Sequence, residues 1–124
     1  MNRSLVIFLS GAGWPARYQA ITLAATAAAL GDEVTLALAF DPLVALLEGR
    51  LDEGAPATVD EARVPPLSAT LAEVRRELGV RVVACETAVR LAGLEVERAR
   101  AALDALEPIT SQWRRAQSGR AVSY

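Results

Sequence analysis

Short, continuous runs of apolar residues alternate along this chain with longer stretches in which the apolar positions recur at helical spacing. The runs lie at residues 5–9, 34–40 and 80–84, and the first two end at turns that contain glycine or proline. Uninterrupted apolar runs of this length, rich in valine, leucine and isoleucine, are typical of strands that are buried on both faces of a sheet. The pattern therefore predicts three buried strands.

The stretches between and after these strands predict helices. The first covers residues 15–30, with Pro15 in its first turn and Gly31 just past its end, the positions that these two residues favour. Five further helices are predicted at residues 42–48, 67–78, 86–92, 95–106 and 110–117. For the helix at 67–78, Ser68 or Thr70 is the predicted cap, and Glu73 completes a capping box with Thr70.

Two short strands, near residues 106–109 and at 121–124, complete the predicted order. Alternation of strands and helices predicts parallel pairing with right-handed crossovers. We therefore expect an α/β fold, a three-layer α/β/α sandwich with a mainly parallel sheet of about five strands, related in architecture to flavodoxin. A chain of 124 residues is sufficient for one such domain, expected to span residues 1–124.

Residues 50–66 break the alternation. Gly54, Pro56, Pro65 and Pro66 lie in this segment together with several acidic residues. A stretch of this length without helical or strand pattern predicts a mobile loop. The pattern leaves open whether this loop is functional or simply disordered.

Composition excludes several classes of function. The 13 basic and 15 acidic residues are scattered along the chain and give a net charge of -2, so no basic face predicts nucleic-acid binding. The chain has no histidine, which excludes histidine-dependent catalytic triads and zinc sites of the Cys/His type. We expect no metal and no cofactor.

No segment predicts a membrane span or a signal peptide. The least polar stretch, residues 20–30, has only 11 residues and cannot cross about 30 Å of hydrocarbon. The apolar run at 5–9 is too short for the core of a signal peptide. We therefore expect a cytoplasmic protein without a membrane partner.

The single cysteine, Cys85, follows the third predicted strand and precedes a helix. Ligands of open α/β sheets bind beyond the carboxyl ends of the strands, where Cys85 is expected. A helix N-terminus favours the thiolate by about 0.3–1 kcal/mol, while the neighbouring carboxylate of Glu86 opposes it, so we expect a modestly activated thiol. Inert packing is the alternative, because cysteine is among the most buried residue types.

Residue spacing excludes several known chemistries for this thiol. A phosphatase loop of the low-molecular-weight class needs arginine after five intervening residues, whereas Arg90 follows Cys85 after four. Thioredoxin-type cycles need a second thiol, which this chain lacks. A receiver domain needs acidic residues at the ends of the first and third strands, where this chain has Ser10-Gly11 and Cys85.

The segment "SGAGW", residues 10–14, is a weak candidate for a nucleotide site, because it lacks both GxGxxG and a GK[ST] ending. Its simpler interpretation is a tight turn into the first helix. We also consider that its backbone amides and Trp14 form part of the wall around Cys85.

Several segments together resemble the DsrE/DsrF-like family, which includes the sulfur-relay subunits of the Dsr and Tus systems. These segments are "SLVIFLSG", "LGDEVTLALAFD", "GVRVVACETAVRLAGL" and "RAVSY", and the strand that leads into Ala84-Cys85-Glu86 is the most specific of them. The resemblance implies a sulfurtransferase-like carrier that holds sulfane sulfur as a persulfide on Cys85. It also implies sulfur donor and acceptor proteins as partners and a homo-oligomer, either a dimer, a trimer or a hexamer.

Two other functions stay open on the sequence. The first is a non-catalytic, oligomeric binding or regulatory subunit of the same fold, in which Cys85 is inert. The second is a binder of a small ligand or nucleotide at the turn of residues 10–14.

Overall fold

The computed structural model of the protein describes residues 3–124, which form five strands, six α-helices and a single 3-10 turn. The strands are β1 (Ser4–Leu9), β2 (Glu33–Leu38), β3 (Arg81–Ala84), β4 (Ala105–Leu106) and β5 (Gly119–Ser123). The helices are α1 (Trp14–Ala29), α2 (Asp41–Glu48), α3 (Leu67–Leu78), α4 (Glu86–Leu91), α5 (Val96–Ala102) and α6 (Ile109–Gln117). The 3-10 turn covers Ala57–Val59.

The five strands form one sheet in the order β4-β3-β2-β1-β5, and all four pairings are parallel. The register places Ile7 opposite Leu36 between β1 and β2, and Leu36 opposite Val82 between β2 and β3. The predicted α/β fold with a parallel sheet of about five strands is thereby confirmed.

Strand order decides which face of the sheet each helix covers. From β1 to β4 every step goes in the same direction across the sheet, so right-handed crossovers place α1 to α5 on one face. The connection from β4 to β5 runs back across the whole sheet, which places α6 on the opposite face. We call these the covered face and the α6 face.

Each face of the sheet has its own hydrophobic core, because successive side chains along a strand point to opposite faces. The larger core lies on the covered face and includes Ile7, Leu36 and Val82, all completely buried, together with Ile21 of α1. The smaller core lies on the α6 face and consists of Val6, Ala37, Val83 and Ala116. The covered face therefore supplies most of the buried apolar surface, which is the main favourable contribution to folding.

Most of the observed elements begin and end close to the predicted positions. The helix predicted at 95–106 is wrong at its end: α5 stops at Ala102, because Leu103 is extended and leads into β4. The strand predicted near 106–109 therefore lies earlier, at Ala105–Leu106, and α6 begins at Ile109.

Gly49 and Gly79 end α2 and α3 in the left-handed conformation, as their sequence positions predicted. β2 ends at Leu38, two residues before the end of the apolar run. The reason is Phe40, whose φ of 55° turns the chain out of the strand and into α2.

The beginning of the 50–66 segment is held by specific contacts. Leu51 is buried, and its carbonyl oxygen accepts a hydrogen bond of 2.9 Å from Nε of Arg17, a buried residue of α1. The Arg17 guanidinium also donates to the carbonyl oxygen of Glu53. This part of the segment is therefore anchored to α1, which the absence of a helix or strand pattern did not predict.

The predicted cap of α3 is wrong. The N-cap residue is Pro66, whose side chain cannot accept a hydrogen bond from the helix. The carboxylate of Asp52 accepts hydrogen bonds from the backbone N–H groups of Leu67 and Ser68 instead. Asp52 precedes the helix by 15 residues, so a search for a local capping box could not find it. The same contact closes the 50–66 segment onto α3.

Across residues 3–124, no helix combines the length and the apolar character that crossing a membrane requires.

Candidate functional site

Cys85 is the first residue after β3 and the N-cap residue of α4. Its backbone is extended, with φ −81° and ψ 152°, and its Sγ accepts a hydrogen bond of 3.3 Å from the backbone N–H of Ala88. The sulfur thus occupies the place that a serine or aspartate oxygen takes at most helix N-termini. Cys85 is partly exposed.

Two cavities meet at Cys85. The smaller has a volume of about 200 Å³ and is lined by apolar side chains that include Phe8, Ala37, Phe40 and Ile109. Its polar lining residues are Ser10 and Gln112, besides Cys85 itself. No charged residue of the described chain lines this space, which we call the apolar cavity.

The second cavity has a volume of about 510 Å³ and lies between the beginnings of α4 and α6. Glu86 and Thr87 line it from α4, and Pro108 and Ile109 line it from α6. The positive ends of two helix dipoles therefore face the same space, which favours an anionic group there. Two carboxylate residues that line the same cavity, Glu86 and Glu107, oppose this effect. Arg90 lies 3.7 Å from the Glu86 carboxylate, and that of Glu107 is paired with two arginines.

A buried carboxylate fixes the start of α6 beside this site. Glu107 is 7% exposed, and its carboxylate accepts hydrogen bonds from the guanidinium groups of Arg81 and Arg115. The Glu107 backbone N–H donates to the carbonyl oxygen of Ala84, 2.9 Å away. The chain just before α6 is thereby attached to β3 directly next to Cys85.

The same residue orients Gln112. The Gln112 side chain is buried, with the residue 3% exposed, and its Nε2 donates to the backbone carbonyl oxygen of Glu107 at 2.9 Å. This bond leaves the amide in one orientation, because only the nitrogen can donate. Oε1 therefore has a fixed direction.

Phe40 contributes a strained backbone to the wall of the apolar cavity. Its φ of 55° and ψ of −130° lie in a region that residues other than glycine rarely adopt, and the residue is 55% exposed. Strain of this kind costs about 1–3 kcal/mol and persists only where the surrounding structure imposes it.

The turn at residues 10–14 is a poor phosphate site. The backbone N–H groups of Ser10 and Gly11 both donate to the carbonyl oxygen of Tyr124, at 3.1 Å, and that of Gly13 donates to Asp41. These amides are therefore already engaged. A Cβ on Gly11 would lie 3.1 Å from the Ala16 Cβ and 3.2 Å from the Tyr124 carbonyl carbon, so the close approach of α1 and of the residue after β5 explains this glycine.

The suggestion that Trp14 helps to enclose Cys85 is wrong. Trp14 stacks on Tyr18 with ring centroids 5.0 Å apart and lines a separate cavity with Arg17 and Asp41. Only Ser10 of this turn reaches the apolar cavity.

A further cavity, larger than the two at Cys85, lies at the other end of the sheet. It has a volume of about 960 Å³ and is lined by Ser4, Glu33 and Arg81, which begin β1, β2 and β3. Basic and acidic side chains are mixed around it, among them Arg114 and Asp32. It contains none of the residues that surround Cys85.

Among residues 3–124, no three histidine, cysteine or acidic side chains come together as metal ligands.

Sequence reasoning located Cys85 at a strand end but missed the residues around it. Gln112, Phe40 and Ile109 are between 24 and 45 positions away from Cys85 in the chain, and α6 reaches the site only because its connection crosses back over the sheet. One signal was available for Gln112. It is a polar residue at an inward position of an amphipathic helix, and such a residue needs a partner.

Comparison with known proteins supports the fold alone. No family model and no curated protein matches the chain. A solved structure, that of a protein of unknown function, MTH1491 from Methanobacterium thermoautotrophicum, is similar to this chain with a TM-score of 0.63. The similarity covers 99% of this chain and 100% of that chain at 14% sequence identity.

Proposed function

We propose that this protein is a sulfur carrier of the DsrE/DsrF-like type, in which Cys85 holds a sulfane sulfur as a persulfide and passes it to an acceptor protein. The observation that supports this proposal is the position of the sulfur atom. Cys85 Sγ is partly exposed, accepts the Ala88 N–H and opens on two cavities at the carboxyl end of the sheet.

The proposed transfer needs only one thiol. The Cys85 thiolate attacks the outer sulfur of a donor persulfide, the S–S bond of the donor breaks, and the donor leaves as a thiolate. The new S–S bond lies on Cys85, and no net oxidation takes place. Passage to the acceptor repeats the same exchange with the acceptor thiol, so neither histidine nor a resolving cysteine is required.

The surroundings of Cys85 suit an electron-rich sulfur. The Ala88 N–H points at Sγ, and α4 and α6 both begin at the larger cavity, which has room for an approaching protein segment. A persulfide needs such donors, because it reacts as an anion. Residues 3–124 place no second thiol near Cys85, so the carrier would exchange sulfur with partners and not within the chain.

Intact-protein mass spectrometry after incubation with polysulfide tests the proposal. We expect the wild-type protein to gain the mass of one sulfur atom, to lose it again when a reducing thiol is added, and Cys85→Ser to gain nothing. A matched control is Ser111→Ala, which keeps the thiol, lies outside both cavities at Cys85 and should load normally. Absence of the adduct on folded wild-type protein would contradict the proposal.

The alternative is a non-catalytic oligomeric subunit with an inert cysteine. Exposed apolar side chains of α6 favour it, since Ile109 is 60% and Trp113 56% exposed, and they are suited to contact another copy of the chain. Alkylation separates the two functions. The alternative requires Cys85 to react with iodoacetamide only after unfolding, whereas the carrier requires reaction in the folded protein.

A further inference from the structure

The side-chain oxygen of Gln112 is the feature of the apolar cavity that the proposed sulfur transfer does not use. Its Nε2 is engaged by Glu107, whereas Oε1 accepts no hydrogen bond from any residue within 3–124. All fully enclosed side-chain nitrogen and oxygen atoms of this part of the chain have partners. Oε1 must therefore keep an open side, and the space that Gln112 lines is the apolar cavity.

An unused acceptor in an apolar cavity selects a ligand that brings a donor. The cavity walls next to Gln112 include Phe8, Ala37 and Ile109, and no charged side chain of the described residues lines them. An ionic ligand would lose its hydration there without gaining a counter-charge, whereas a neutral ligand with one N–H or O–H group would satisfy Oε1.

The volume of the cavity limits the size of this ligand. A cavity of about 150 Å³ holds a benzene molecule. The apolar cavity, at about 200 Å³, accommodates such a ring and one or two further heavy atoms. Two aromatic side chains, Phe8 and Phe40, lie in its wall and suit a flat ring.

We propose that the apolar cavity binds a small neutral molecule with an apolar body and a single hydrogen-bond donor, which Gln112 Oε1 accepts, next to Cys85 Sγ. A ligand of this kind that also carries a thiol would take the sulfur from Cys85: its sulfur attacks the outer sulfur of the Cys85 persulfide, the S–S bond breaks and Cys85 leaves as the thiolate, a role that rests on the proposed function. Binding as such does not need the thiol. Glu107 is a positioning residue in this scheme, because its carbonyl oxygen holds the Gln112 amide.

Phenol and toluene are a matched pair of probes, since they have nearly the same shape and only phenol has a donor. In Cys85→Ser, which cannot react covalently, we expect phenol to bind in the millimolar range or tighter, as measured by calorimetry. Toluene should bind about three- to tenfold more weakly, the contribution of one neutral hydrogen bond. NMR should show that phenol shifts the Gln112 side-chain amide and the Ala88 backbone amide.

Two further variants locate the effect. Gln112→Met removes the acceptor at similar volume, and we expect it to abolish the preference for phenol while toluene still binds. If Gln112→Met does not fold, Ala37→Val, which narrows the cavity from the sheet side, should weaken both probes. Equal affinity for phenol and toluene, or no binding of phenol at millimolar concentration, would overturn the proposal.

The same experiments separate this inference from sulfur transfer. Phenol binding by Cys85→Ser, combined with absence of sulfur loading in the wild type, would leave a ligand site without a carrier function. Sulfur loading without a preference for phenol would leave a carrier that exchanges with proteins alone.

Discussion

The covered face and the α6 face of the sheet differ in how completely helices occupy them. Five helices pack on the covered face, and its core residues are almost inaccessible. On the other face the single helix α6, about 10–12 Å across with its side chains, packs against a five-stranded sheet about 19 Å wide. One short helix cannot cover this face, so cavities remain beside it.

Side chains of α6 line several of these cavities. Ile109 of α6 lines both cavities at Cys85. Arg114 and Arg115 of the same helix line the cavity of about 960 Å³ at the other end of the sheet. The difference teaches that the covered face contributes most of the buried apolar surface, whereas a single helix on the other face leaves space beside it. The covered face holds the fold, and the incompletely covered face leaves room for a ligand.

Adjacent valines of β3 give the sharpest test of this division and the largest expected effect. Val82 and Val83 are both completely buried and belong to the cores of opposite faces. We expect Val82→Ala to lower the free energy of unfolding by about 2–3 kcal/mol and Val83→Ala by about 1–2 kcal/mol, because a single helix can move to close the space. Urea denaturation measures both values.

Alkylation of folded protein with iodoacetamide completes this test. Only Val83→Ala should change the rate of alkylation at Cys85, since only this variant lets α6 move relative to the site. Equal losses of stability and equal rates would contradict the proposed division between the faces.

Glu107 gives the second prediction, of intermediate size. Glu107→Gln removes the buried charge that joins Arg81 and Arg115, and we expect a loss of about 1–2 kcal/mol in the free energy of unfolding. The cost stays below that of a fully buried pair because both arginines are partly exposed.

A matched control for Glu107→Gln is Glu97→Gln on α5. Glu97 is 85% exposed and lies 3.3 Å from Arg100. Its loss should cost less than about 0.5 kcal/mol in urea denaturation, because water and salt screen an exposed pair. Similar costs at both positions would show that the Glu107 cluster does not hold α6.

Phe40 gives the smallest expected effect. At its φ of 55°, alanine is strained and glycine is not, so Phe40→Gly should be more stable than Phe40→Ala by about 1 kcal/mol. The control pair is at Phe8 in β1, where glycine should be the less stable of the two. Thermal unfolding of the four variants measures the difference, and the same order at both positions would mean that Phe40 is not strained.

The sequence predicted those features of the structure that depend on residues close together in the chain. Apolar runs and glycine stops are local, and they predicted the strands, the ends of α2 and α3, and the α/β class. The contacts of Arg17 and of Asp52 join residues 15 to 36 positions apart. No local pattern encodes them, so the 50–66 segment was predicted as a mobile loop.

The site divides in the same way. Cys85 could be found because it is the only thiol and follows a predicted strand. Gln112 and Phe40 could not, since their meeting with Cys85 depends on the order in which the strands pair.

The sequence by itself thus determined the elements of the fold and the position of one thiol at a strand end, because hydrophobic periodicity and turn residues act over a few positions. Tertiary structure alone decided that α6 returns across the sheet and leaves an apolar cavity beside that thiol. The physical reason is that strand order follows from the packing of the whole sheet, in which contacts between distant residues outweigh local preference.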